Sequence, residues 1–242
     1  LEGDRVARYL GGRWLEGEGR LHPVETRYLE NGATLPHAKH LADRVVAALD
    51  AARDAPGDVL VFLPGRAEIA ACRDALGGRP ELDVLTLHGG LSLKEQSRAF
   101  AASERRKVVL ATNVAETSLT VPGVRYVVDT GLARIHRYSH RSQVSHLQIE
   151  PVSQASCNQR SGRCGRVGPG ICVRLFEHHD FEQRPEYTDP EIRRSSLAEV
   201  ILRMISLKLG DIGAFPFIDS PDPRHHVNNV TFDQVHQKVR TI

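Results

Sequence analysis

Residues 59–63 (Val, Leu, Val, Phe, Leu) are apolar at every position, with no polar alternation. Such a run has no solvent side, so it predicts a strand buried on both faces, the kind that parallel sheets use. Residues 108–111 and 126–129 read the same way, and 84–87 is a shorter relative. Residues 21–28 and 171–176 add two further strands. Helices are predicted between them. One runs from near Pro36 to about Arg53, with Leu41, Val45, Val46 and Leu49 on its apolar stripe. Pro64, Gly65 and Arg66 open a second, reaching about Leu76, and a Ser92/Glu95 capping box opens a third, which holds Phe100. Strands alternating with helices predict an α/β fold with a parallel sheet covered on both faces. Ligands of such sheets lie beyond the carboxyl ends of the strands. Gly65–Arg66, Thr112–Asn113 and Asp129–Thr130 stand at those ends.

The alternation breaks at 133–150. Residues 134–138 and 144–149 read as two strands joined through Ser139, His140, Arg141 and Ser142, a protruding antiparallel hairpin with a basic tip. Ser153 is placed to cap a following helix. A second capping box, Ser196 with Glu199, precedes Leu197, Val200, Ile201, Met204 and Ile205 at helical spacing, and Gly210 stops that helix. Beyond it the chain is rich in proline and polar residues, and 225–242 holds too little apolar content for a core of its own.

The helix after Ser153 carries the densest signal. In 159–166 (Gln, Arg, Ser, Gly, Arg, Cys, Gly, Arg) arginine recurs every third residue and glycine precedes the last two. If the segment is helical, Arg160, Arg163 and Arg166 fan out along one side. Each guanidinium is a planar fork matched to a pair of phosphate oxygens, and none loses its charge near neutral pH. A glycine inside a helix costs about 1 kcal/mol against alanine. Two of them make sense where the backbone must come close to a nucleotide or a facing domain. The plain alternative is a basic surface helix forming ion pairs. Net charge is only +2, but 133–174 holds seven arginines against a single acid, Glu150, which calls for a polyanion.

The remaining composition mostly excludes. At 40% hydrophobic and 26% charged, the chain has the make-up of a soluble globular protein. No apolar run approaches the ~20 residues of a membrane span, and no signal peptide is visible. Leu1 stands where an initiator methionine would, which predicts a piece of a longer protein. Cys72, Cys157, Cys164 and Cys172 form no C-x-x-C pair, so neither zinc nor a disulfide framework is supported. They read as small buried thiols in a reducing cytoplasm. The pairs His178-His179 and His225-His226 read as surface histidines.

Taken in order, these pieces resemble the second RecA-like domain of superfamily 2 helicases of the DEAH/RHA group, of the bacterial HrpA type. The resemblance runs from about Leu21 to Arg224. Residues 109–120 (Val-Leu-Ala-Thr-Asn-Val-Ala-Glu-Thr-Ser-Leu-Thr) look like motif V and 159–166 like motif VI. Residues 61–65 with Glu68 and Ile69 resemble motif IV. The resemblance implies a RecA-like domain over 21–195, preceded by a linker over 1–20 and followed over 196–242 by a connecting helix and the start of a winged-helix region. It implies one motor half of an ATP-dependent 3′–5′ RNA helicase, cytoplasmic, with ATP and Mg²⁺ as cofactors. Its partners would be the backbone of single-stranded RNA and the first RecA-like domain of the same polypeptide.

Position by position, the resemblance gives Gln159 the attacking water, and makes Arg163 and Arg166 arginine fingers. Phe100, Ser118, Thr120, Arg160 and Gly162 would line the nucleotide, Phe100 by stacking on adenine and Ser118 by sensing the γ-phosphate. Gly65, Arg66, Thr112, Asn113, Thr117, Arg134, Arg137 and Arg141 would face RNA, the last three from a hairpin that helps part strands. Pro122 departs from the group's pattern, in which an acid holds the ribose. No G-x-x-x-x-G-K-[ST] loop and no Asp-Glu-Ala-His run occurs in the chain. The phosphate loop and the magnesium ligands would belong to the first domain, and this chain alone would be inactive. The other reading is an RNA- or protein-binding module with a degenerate nucleotide site.

Overall fold

The uninterrupted apolar runs sit in the middle of a six-stranded sheet. The computed structural model describes residues 3–15, 22–29, 41–117, 120–139, 144–194, 197–210 and 214–220. In chain order these form α1 (Gly3–Leu10), β1 (Val24–Tyr28), α2 (Leu41–Ala51), β2 (Asp58–Phe62), α3 (Arg66–Ala75), β3 (Leu82–Leu87) and α4 (Leu93–Ser97). Then come β4 (Arg106–Ala111), α5 (Val114–Thr117), β5 (Val124–Asp129), β6 (Leu132–Ser139) and β7 (Val144–Pro151). The last elements are α6 (Gln154–Ser161), β8 (Gly170–Arg174), α7 (His178–Gln183) and α8 (Leu197–Ser206). The sheet order is β1-β8-β5-β2-β4-β3, and every neighbouring pair is parallel. The expected fold is therefore the observed one, including the separate β6–β7 hairpin.

Alternation along the central strands divides the interior in two. Val59, Val61, Leu63, Val108, Leu110 and Val128 point to the face covered by α2 and α3, where Leu41, Val45, Ile69, Cys72 and Leu76 meet them. Leu60, Phe62, Val109, Ala111 and Val127 point to the opposite face, against Ala99, Ala115 and Cys164. All four cysteines are free and buried. Burial pushes the thiols of Cys72, Cys157 and Cys164 up to about 12, and that of Cys172 well above its ordinary value.

Local signals hold in detail. Ser92 accepts from the Glu95 amide while the Glu95 carboxylate accepts from the Ser92 amide, the reciprocal box expected. The helix it opens is short: α4 tightens into a 3-10 turn over Arg98–Phe100, which turns Ala99 into the core. Ser153 caps α6. Ser196 of the second box lies outside the described residues.

The chain divides into two compact units. One comprises 19–134 and 149–188 and contains the whole sheet. The other collects 1–18, 135–148 and 189–242, where Arg5 Nη2 lies 2.5 Å from Asp219 Oδ1 and the Tyr138 amide donates to the Arg194 carbonyl at 2.8 Å. Among the described residues no helix is long and apolar enough to cross a membrane.

Gly131, just past β5, fixes how the chain leaves the sheet. Its φ of +69° is left-handed, and a Cβ there would stand 2.5 Å from the Phe176 ring. Its amide donates to Asp129 Oδ1 and its carbonyl accepts from Arg184 Nη1, each at 2.8 Å. Gly131→Ala combines left-handed strain of about 1–2 kcal/mol with overpacking of similar size. It is expected to lower the unfolding free energy by roughly 2 kcal/mol or more in urea denaturation.

Candidate functional site

The arginine run begins as α6 and continues as a 3-10 turn over Gly162–Gly165. The three guanidinium groups do not share one side as an ideal helix would have them. Arg160 is fully buried, Arg163 nearly so, and Arg166 is exposed. Tighter winding after Ser161 changes the angular step, and separate partners then draw each side chain its own way. Arg160 Nη1 donates to Asp129 Oδ1 at 2.8 Å and to the Leu132 carbonyl at 3.2 Å, while Nε donates to Glu116 Oε2 at 3.0 Å. Its guanidinium lies over the Phe62 ring, 4.9 Å from the centroid. Burial alone would lower the Arg160 pKa, but the charges of Asp129 and Glu116 outweigh it and the net shift is upward.

Glu116 was not singled out by the sequence, yet it joins the two motifs. Its carboxylate accepts from Arg160 and from the Ser156 hydroxyl, and its backbone carbonyl accepts from Arg163 Nη2. Arg166 Nη1 donates to the Thr120 hydroxyl. Residues from 109–120 and 159–166 are thus interlocked side by side. The arginines do not stay at the carboxyl ends of the strands. The 3-10 turn runs back along one face of the sheet until the Gly165 carbonyl accepts from His22 N, two residues before β1 begins. An available signal was Asp129, since an apolar strand ending in an acid needs a cation to bury it.

The two glycines of the run differ. A Cβ on Gly165 would stand 2.8 Å from the His22 carbonyl oxygen and from Val24 Cγ2, so close packing against β1 demands that glycine. Gly162 has an ordinary helical φ of −60°. Among the described residues nothing lies within 4 Å of where its Cβ would be. Neither backbone conformation nor those neighbours require Gly162. Beside it, burial and then the charge of Arg166 hold the Arg163 guanidinium below the usual arginine value, offset in part by Glu116.

The remaining candidates are spread over several elements. Gly65 precedes α3 with no side-chain cap, and a Cβ on it would stand 2.9 Å from Arg134 Nε and from Glu68 Oε2. Arg134 lies 3.6 Å from Glu68, and Arg137 is 3.9 Å from Asp189, so the hairpin arginines have acidic neighbours that the sequence reading did not foresee. Arg66 and Asn113 are exposed, and Thr112, Gln159 and Phe100 are half-buried, Phe100 packing one side against the second core cluster. Thr117 closes α5. Ser118 and Arg141 lie outside the described residues. Among the described residues, no three acids, histidines or cysteines converge as a metal site would need.

The chain as a whole has known counterparts. Over 232 residues the chain is 50% identical to the ATP-dependent RNA helicase HrpA of Escherichia coli, covering 93% of this chain and 18% of that protein. The HrpA homolog of Haemophilus influenzae is 49% identical over 214 residues, 87% of this chain and 16% of that one. The crystal structure of the Escherichia coli DEAH/RHA helicase HrpB superposes with a TM-score of 0.83 at 36% identity, covering 93% of this chain and 29% of that one. The chain therefore spans less than a fifth of the two HrpA sequences. Residues 40–168, from the start of α2 through the arginine run, match the helicase conserved C-terminal domain. By that match, which covers more than half of its residues, the chain belongs to the helicase conserved C-terminal domain family.

Proposed function

We propose that this chain is the second motor domain of an ATP-dependent 3′–5′ RNA helicase, completing a nucleotide site whose other half lies on a first RecA-like domain. The observation that carries the reading is Gly162. A helical glycine with open space beside it among the described residues, next to two arginine forks, fits the close approach of a triphosphate or a facing backbone. Arg163 supports it, because a buried cation with a depressed pKa gains from an anion brought beside it.

ATP would supply the γ-phosphoryl group, and Mg²⁺ would be held by the first domain. The residues of this chain have narrower tasks. Arg163 and Arg166 lay donors where negative charge builds up, with Glu116 and Thr120 setting their side chains. Gln159 orients water. Arg160, sealed against Asp129, serves as a positioning residue that fixes α6 and not as a direct ligand. Thr120, Ser118 and Phe100 line the nucleotide. Gly65, Arg66, Thr112, Asn113 and Thr117 grip the RNA backbone, and the β6–β7 hairpin with Arg134, Arg137 and Arg141 helps part its strands. Backbone contacts of this kind make binding steeply salt-dependent and largely indifferent to sequence.

Two expected outcomes test the nucleotide half. In the full-length parent, Gly162→Ala should leave the melting temperature unchanged or slightly raised, since alanine favours a helix by about 1 kcal/mol. RNA-stimulated phosphate release should nevertheless fall at least tenfold (~10-fold, about 1.4 kcal/mol of barrier). Gly165→Ala should instead lower stability, through its clash with His22. Near-normal turnover by a stable Gly162→Ala protein would remove the observation on which the reading rests. Second, Arg163→Ala and Arg166→Ala should each cut kcat by about 10³ or more, with poor rescue by lysine. RNA affinity without nucleotide should hold. The isolated chain, lacking a phosphate loop, should show no ATP turnover above background.

A further inference from the structure

A cleft of about 420 Å³ lies over the outer edge of β3, between α3 and the turn that follows α4. Arg66, Arg73 and Arg98 line it, all three exposed, together with His88, Thr86 and Glu95. Arg66 and Arg73 are seven residues apart on α3, two turns and about 10 Å along one side. The Arg66 guanidinium reaches across the cleft mouth, Nη1 coming within 3.6 Å of the point where a Cβ on Gly90 would stand. Glu95, the one acid among the described lining residues, accepts from the amide and hydroxyl of Ser92. Among the described residues, Arg73 pairs only with its exposed chain neighbour Asp74, at 3.7 Å. Three arginines against one carboxylate leave the described lining net cationic.

We infer that this cleft is a second RNA-backbone site, a track for the phosphates that continues from Arg66 past Arg73 and Arg98. The inference rests on the RNA-helicase reading above and extends it to residues outside motifs IV, V and VI. The class of ligand follows from the lining. Among the described residues it carries no phenylalanine, tyrosine or tryptophan for bases to stack on, so it addresses the sugar-phosphate chain. His88 Nδ1 accepts from the Gly90 amide at 3.2 Å, which leaves Nε2 as the protonated, donating nitrogen of the neutral ring. Burial and then Arg66 lower the His88 pKa, favouring that neutral form. An acidic protein segment could also answer the arginines. RNA is favoured because the cleft opens at Arg66, one residue beyond Gly65 at the carboxyl end of β2, where the proposed RNA grip begins. At roughly 3.4 Å per nucleotide in a stacked strand, the 10 Å between Arg66 and Arg73 accommodates about three phosphates.

The test uses the nucleotide-free, full-length parent and a fluorescein-labelled 20-nucleotide oligouridylate, with affinity measured across a salt series. Arg73→Ala and Arg98→Ala should each weaken binding by about threefold or more and flatten the plot of log K against log salt by about 0.7, the double variant by about 1.4. Arg105→Ala, removing an exposed arginine just before β4 and outside the cleft, should leave the slope unchanged. Thermal melts should be unaffected, since these side chains are exposed. Unchanged affinity and slope for both Arg73→Ala and Arg98→Ala, alongside weakened binding by Arg66→Ala, would overturn the second site and leave the RNA grip standing; this is the result an acidic protein partner would give. If Arg66→Ala is silent as well, the RNA reading itself fails with it.

Discussion

The contact on which the arrangement depends is the ion pair between Arg160 and Asp129, both without solvent exposure. Neither charge is tolerable alone at that depth, because removing one partner of a buried pair typically costs about 3–5 kcal/mol. Together with Glu116 they form a three-way tie. Asp129 closes the central strand β5, Glu116 stands in the helix after β4, and Arg160 comes from α6. Three segments far apart in sequence are forced into one relative position. The two arginines that follow in the run inherit their placement from this tie, Arg163 through the backbone of Glu116 itself.

The sheet was largely legible because its strands are apolar at consecutive positions, a pattern that only burial on both faces explains. The capping serines were legible too, since a cap is a contact between residues three apart. Glu116 and Arg160 show where reading stopped. An arginine that recurs every third residue reads as a surface stripe, and only partners 31 and 44 positions away turn the first one inward. Local periodicity holds no record of such partners. The descent of the arginine run along the sheet face was missed for the same reason: it is set by the contact of Gly165 with His22, which sequence spacing does not encode. Arg134 and Arg137 read as free hairpin charges because Glu68 and Asp189 lie in other elements.

Burial divides the polar groups of this region between order and access. Polar groups that are buried (Arg160, Asp129) carry the geometry, while those left at the surface (Arg166, Arg66, Asn113) have no comparable share in the core. A substitution in the first set should change how the domain holds together, and one in the second what it can touch. Gly165 and Gly162, three residues apart, fall on opposite sides of that division.

The four cysteines have a practical consequence. Their sulfurs are buried and their thiols resist ionisation, so at neutral pH almost none exists as the thiolate that reacts with maleimides or peroxide. In the folded state the domain is chemically silent toward such reagents without any cysteine having been replaced. A single new cysteine on an exposed position, such as that of Lys94, would therefore be a unique handle for a dye or spin label. Conversely, the appearance of native thiols toward a labelling reagent would report local opening around α3, α6, the 3-10 turn or β8, with no added probe.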